Sequence, residues 1–217
     1  MKNNRSIERC LLIFRMFRVN PHPTASELAR LTELPRATVL RFLHTLEKEG
    51  YAAQDSERWR LTAKVLEIGF AALDSANVNE LVQSSLDALA NKFAGTANIG
   101  EKSENRVTII ARAVASPQVR RFHVTNLRVG STLPDNSALY QALSLTSPEE
   151  YSMKFYEDVN QLSLAVLLHS GRSRLLSLGI STSRDVLNDE KCIESAIEVI
   201  KSEAHRIGHI MGIDPVY

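Results

Sequence analysis

Arg36, Thr38 and Arg41 stand on the run LPRATVLRFLHTLEKEGY, and Arg58 and Arg60 alternate in the short run RWRL that follows a polar turn. These residue types suit nucleic-acid recognition. A guanidinium pairs bidentately with guanine O6 and N7, and a threonine hydroxyl bonds a base or a phosphate. Leu40, apolar where the pattern leaves it uncovered, could meet a thymine methyl. Two arginines on one face of a strand suit phosphate oxygens, which position a protein without reading sequence. On an isolated helix the bland reading is a solvated basic face with Leu40 tucked into the domain. The neighbouring elements shift the reading towards DNA.

Other chemistry is poorly supported. An enzyme needs a nucleophile, a base or a metal set converging in a pocket. His123, His169, His205 and His209 are scattered among predicted strands and a helix end. His205 and His209 have i, i+4 spacing and could make half a metal site. Without a third ligand in a clear motif they read as surface or helix-end histidines. Cys10 and Cys192 are far apart and read as small buried side chains, not as a disulfide or a metal pair. No P-loop, glycine-rich dinucleotide fingerprint or clustered His/Cys set is present in the sequence. No catalytic residue, metal or cofactor is therefore expected.

The positioning elements can be read from caps and periodicity. Thr24 and Glu27 have capping-box spacing, followed by Leu28 and Leu31 as a short apolar stripe. Thr32-Glu33-Leu34 is a turn, and Pro35 suits the first position of a second helix. Val39, Phe42, Leu43 and Leu46 then make one buried face. The opposite face shows Arg36, Ala37, Thr38, Leu40, Arg41 and His44. Gly50 is a left-handed cap. Residues 51–61 form a hairpin wing turning at Gln54-Asp55-Ser56-Glu57, with Trp59 and Leu61 on one side and Arg58 and Arg60 on the other. Helix, turn, helix and wing together predict a winged helix-turn-helix, with one helix laid in the major groove. A first helix over 6–18 should bury Ile7, Cys10, Leu11, Phe14 and Phe17, and Thr62 should cap a connector through Leu73.

Residues 1–62 hold 11 Lys and Arg against 7 Asp and Glu, a net of +4, and residues 63–217 hold 15 against 18, a net of −3. A basic front on a mildly acidic body fits a nucleic-acid head with a separate second domain. No apolar run is long enough to span a bilayer, and no signal peptide precedes the head, so a cytoplasmic protein with no membrane partner is expected. The domain boundary is placed in the small polar stretch 74–79, giving domains 1–76 and 77–217. Beyond it, a helix over 80–93 should turn Leu81, Leu86, Leu89 and Phe93 inward. Strands follow over 97–101, 106–115 and 118–125. A helix is expected over 136–143, and 162–168 should pair with 174–181 as a hairpin. Asn188 caps a last helix. The fold class is α+β: a winged helix-turn-helix joined by a linker helix to an antiparallel sheet of about five strands, with helices packed on one side.

The chain resembles the isocitrate-lyase-regulator (IclR) family of bacterial transcription factors. The resemblance is close over residues 5–76, in RSIERCLLIFRMF, LPRATVLRFLHTLEKEGY and the connector RLTAKVLEIGFAAL. It continues more thinly through LDALANKFAGTANIGE, VGSTLP and LSLAVLLHSGRSRLLSLGIS. It implies a homodimer or homotetramer on a palindromic double-stranded DNA operator, with a small organic effector between the sheet and a covering loop. Carried over by position, Arg36, Thr38 and Arg41 become the recognition-helix candidates, and Arg58 and Arg60 the wing. If an organic acid binds, Thr132, Asn136, Ser137 and Ser163 should lie near it. The apolar surround would be Ile99, Leu162 and Leu164, and Arg120 or Arg121 would pair its carboxylate. Two departures bear on that expectation. The helix start after VGSTLP reads DNSALYQALSL, without the family's glycine. The segment between Leu143 and Leu162 is shorter than the family pattern by roughly a few tens of residues, where the family carries helices and a strand. The resemblance therefore implies an effector pocket that is reduced, open or lost.

Overall fold

The computed structural model describes residues 3–117, 127–147, 150–171 and 174–213. The chain divides into two compact units, Met1–Ala72 and Leu73–Tyr217. In the first, Asn4 accepts from the Ser6 and Ile7 amides and starts α1 (Arg5–Met16). Both halves of the capping box open α2 (Ala25–Thr32). Thr24 Oγ1 accepts from the Glu27 amide at 3.2 Å, and Glu27 Oε2 from the Thr24 amide at 2.7 Å. The chain turns through Glu33, left-handed at φ 56°. Pro35, with ψ 136°, stays outside α3 (Arg36–Lys48) as its N-cap, one position earlier than the sequence suggests. Its carbonyl accepts from Thr38 and Val39, a role that its own missing N–H does not hinder. Gly50, at φ 81°, ends α3. Its amide bonds the Glu47 carbonyl and the Tyr51 amide bonds the Leu46 carbonyl, the paired bonds of a Schellman ending.

The wing is β1 (Ala52–Asp55) against β2 (Arg58–Leu61), antiparallel, with Gln54 opposite Trp59. Trp59 is 1% exposed and packs in one cluster with Ile13, Leu28, Val39 and Leu43. Residue α1 faces differ from expectation: Ile7 and Leu11 are 58% and 50% exposed, while Ile13 and Phe17 are buried. Cys10, Ile13, Phe14 and Phe17 meet the same helical spacing, and that is the set packed in the core. The helix α4 (Val65–Ser75) closes the unit and buries none of its residues.

The second unit begins with α5 (Glu80–Lys92), capped by Asn79, and ends with α7 (Glu190–Met211). Between them lie β3 (Thr96–Ser103), β4 (Arg106–Val114), β5 (Thr132–Leu133), α6 (Ala138–Ala142), β6 (Ser152–Tyr156), β7 (Gln161–Ser170) and β8 (Leu175–Ser183). Among the described residues six strands form one antiparallel sheet in the order β5-β4-β3-β8-β7-β6. Leu86, Leu89, Ile197, Ile200 and Ile207 of α5 and α7 pack on the face carrying Ile99, Leu164 and Ile180. Helix α6 packs on the opposite face through Leu139 and Ala142 against Val107 and Ala165. Helices therefore cover both faces. This explains why Leu162–Leu168 is buried without a break, the pattern of a strand covered on both sides.

Three further details depart from the sequence reading. Strand β6 lies in the shortened segment and pairs with β7. Asp189, not Asn188, caps α7, accepting from the Cys192 amide at 2.7 Å. Leu81 is exposed and Val82 takes its place in the core. The strand expected over 118–125 lies outside the described residues.

Candidate nucleic-acid interface and sheet cavity

Helix α3 follows α2 through the left-handed turn and carries Arg36, Ala37 and Arg41 exposed, with His44 and Thr45 a turn further on. Thr38 is half-buried. Leu40 is half-buried too and packs against the head's core, so it follows the tucked reading given above. It follows the fully buried Val39 by one residue, about 100° round the helix, which leaves it at the border of the core face. The Arg36 Nε donates to Ser26 Oγ at 3.2 Å, which ties its guanidinium to the first turn of α2.

The two wing arginines are not equivalent. Arg58 Nη1 donates to the His22 carbonyl at 2.6 Å and lies 3.6 Å from Glu27 Oε2. Part of its fork is thus used inside the head. Arg60 is exposed on the wing. The Glu27 carboxyl is held below the usual carboxylate range, first by the bond from the Thr24 amide and then by Arg58 and Arg30.

On the α6 face of the sheet lies a cavity of about 70 Å³. Strand alternation builds its wall: Thr96 and Asn98 point there because Ala97 and Ile99 face the larger core. Arg112 stands opposite Asn98 in the register and donates to its Oδ1 at 2.6 Å. Burial pulls the Arg112 pKa below its ordinary value, but arginine remains protonated in proteins. The Ser163 and Ser181 hydroxyls are 2.7 Å apart, and Gln161 Nε2 donates to Ser163 Oγ at 3.3 Å. Tyr156, whose pKa burial raises, also lines the space and keeps its phenol proton.

Of the four effector residues expected from sequence, Ser137 and Ser163 line this cavity. Ser137 is already engaged, capping α6 at the Tyr140 amide and donating to the Pro134 carbonyl. Thr132 and Asn136 are not among the lining residues. Thr132 pairs with Thr108 in β5, and Asn136 is exposed just before the cap. Ile99 and Leu162 belong to the other face. Arg120 and Arg121 lie outside the described residues. Sequence reasoning missed Asn98, Arg112, Tyr156, Gln161 and Ser181. The signal available was a lone arginine in the apolar strand IIARAVA, but its partner depends on register.

Among the described residues no group of three or more His, Cys, Asp or Glu is placed to hold a metal, and no helix is long and apolar enough to cross a membrane. Cys10 and Cys192 are free and half-buried.

A capped helix, a left-handed turn, a second helix and a hairpin wing, followed by an antiparallel α+β unit, define a two-domain winged-helix protein. Residues 6–56 match the IclR helix-turn-helix domain. The Pca regulon regulatory protein of Pseudomonas putida is 32% identical over 152 residues, which are 70% of this chain and 51% of that protein. The first domain is thus an IclR-type helix-turn-helix domain. The chain spans between about a third and two thirds of the length of the curated relatives it matches, and about half of the Pseudomonas putida protein. An IclR family transcriptional regulator from Brucella abortus has the same fold, with a TM-score of 0.75 at 20% identity over 96% of this chain and 92% of that one. So does an IclR homolog complexed with 4-hydroxybenzoate from Microbacterium hydrocarbonoxydans, with a TM-score of 0.72 at 16% identity over 95% of this chain and 99% of that one.

Proposed function

We propose that the chain is a sequence-specific DNA-binding transcriptional regulator, not an enzyme, and that its second domain takes a small organic acid. One observation carries the first part: α3 presents Arg36, Ala37 and Arg41 to solvent, and the wing exposes Arg60. In this reading residues 1–76 bind DNA and residues 77–217 bind the effector. Arg36 and Arg41 read base edges, with Ala37 and Thr38 beside them on the groove-facing surface and Leu40 at its border, packed against the head's core. Arg60 holds phosphate, and Arg58 braces the wing and adds charge. The protein works in the cytoplasm as a homodimer or homotetramer on a twofold-related operator. An operator shift assay tests this. Tight binding to DNA from the neighbourhood of its own gene, with competition by random DNA at least tenfold weaker, supports the reading. Equal affinity for both overturns it.

The cavity supports the effector part. Among the described lining residues Arg112 supplies the guanidinium, and a guanidinium fork matches a carboxylate. Asn98, Ser163, Ser181 and Tyr156 add neutral hydrogen-bonding groups around it. The homologous fold bound to 4-hydroxybenzoate makes an acid of that class a reasonable probe. One observation favours a second reading, a regulator without an effector: about 70 Å³ is well below the roughly 300 Å³ at which ordinary ligand pockets begin. A thermal-shift screen separates the two. A rise in melting temperature with short-chain or aromatic acids supports an effector, and no rise with any of them supports its loss.

A further inference from the structure

A different chemistry lies on α7, which packs on the sheet face opposite the cavity. His205 and His209 are one helical turn apart and exposed. Their Nε2 atoms stand 2.9 Å apart, with ring centroids at 4.5 Å and the rings crossed at 82°. An imidazole nitrogen binds a first-row metal at about 2.0–2.1 Å. Two such nitrogens at right angles on one ion are therefore about 2.9 Å apart, and at the tetrahedral angle about 3.3–3.4 Å. The observed spacing is the right-angle one. Neighbouring positions at right angles belong to square-planar and tetragonal ions, the geometry of Cu²⁺ and Ni²⁺ with nitrogen ligands.

We propose that His205 and His209 form a two-histidine site for a divalent transition-metal ion, Cu²⁺ before Ni²⁺ and both before Zn²⁺, with water completing the coordination. Without metal, the 2.9 Å contact is a hydrogen bond in which one Nε2–H donates to the other ring's lone pair. Metal binding needs both lone pairs. The donor ring therefore moves its proton from Nε2 to Nδ1 through solvent; both rings stay neutral and none is released. The helix already stacks the two side chains at i, i+4, so little rotamer freedom remains to be lost. The nearby cations are engaged by carboxylates: Lys201 lies 3.6 Å from Glu198, and Arg206 lies 2.7 Å from Glu203. Two protein ligands leave the remaining coordination positions open to water.

The test is calorimetric titration of the untagged full chain with CuCl₂, NiCl₂ and ZnCl₂ in turn, with electron paramagnetic resonance of the copper form. One saturable Cu²⁺ per chain, nitrogen hyperfine structure, and affinity falling from Cu²⁺ to Ni²⁺ to Zn²⁺ are expected. His205→Ala and His209→Ala should each weaken Cu²⁺ binding by about tenfold or more. The metal-free melting curve of each variant, recorded beside the parent, separates lost metal binding from lost folding. Three results overturn the site: no saturable Cu²⁺ binding, Zn²⁺ bound more tightly than Cu²⁺, or unchanged Cu²⁺ affinity in the variant carrying both substitutions.

Discussion

Glu27 joins two functions at one carboxylate. It closes the capping box of α2 by accepting from the Thr24 amide, and it faces Arg58 of the wing. Its pKa is lowered in the folded head, chiefly by the Thr24 amide bond. A group with a depressed folded pKa contributes stability that is present above its unfolded pKa and lost as pH falls through the folded one. Glu27→Gln should therefore melt lower than the parent at pH 7, and the gap should close as pH falls below the carboxylate range. Thermal denaturation followed by circular dichroism across that range measures it, and a gap that persists in acid refutes the assignment. Arg112 is the second residue whose surroundings predict behaviour. Arg112→Gln keeps a hydrogen-bonding side chain beside Asn98 and removes the charge. An acid present at a hundred times its dissociation constant adds about 2.7 kcal/mol of stability by mass action. That gain should vanish in Arg112→Gln if the guanidinium holds the carboxylate. A full shift in the variant moves the acid elsewhere.

At the scale of elements, the recognition helix and the wing should fail differently. Arg41→Ala should cost about 1–3 kcal/mol on the operator and relax preference at one base pair. Arg60→Ala should weaken all sequences alike and lower the salt slope by about one. Arg58→Ala should do a third thing. It breaks the bond to the His22 carbonyl and the approach to Glu27, so the head itself should melt lower. Shift assays at several salt concentrations, paired with melting curves, separate the three. Element starts were legible where a side chain both accepts a hydrogen bond and has a spaced partner, as Thr24 and Glu27 do. Phase was less legible. Leu81 and Val82 are adjacent apolar residues, and only tertiary packing chooses Val82. Ile7 and Cys10 both begin acceptable helical stripes. The cavity was least legible, because Asn98 meets Arg112 only through a strand register fixed by non-local pairing, with a bulge between Ile99 and Gly100.

For the whole molecule, the question is what covers α4. Leu66 and Phe70 are one turn apart and each 58% exposed, on the connector that follows a basic head. A lone exposed leucine needs no explanation, but paired large apolar side chains on one helix face mark a contact surface. A single recognition helix also reads few base pairs. Two related by a twofold axis read half-sites about 34 Å apart, or a multiple of that. Both observations predict an assembly of at least two chains, joined in part through α4. Light scattering at micromolar concentration should give a dimer or larger species. Carrying Leu66→Glu and Phe70→Glu together should shift it towards monomer and weaken operator binding, because one half-site is then held without the other. Both side chains are exposed, so the head's melting curve in the variant should change little, which separates lost assembly from lost folding. The parent chain found as a monomer that still binds its operator tightly would remove the reason for assembly. A doubly substituted chain that stays dimeric would place the contact away from α4.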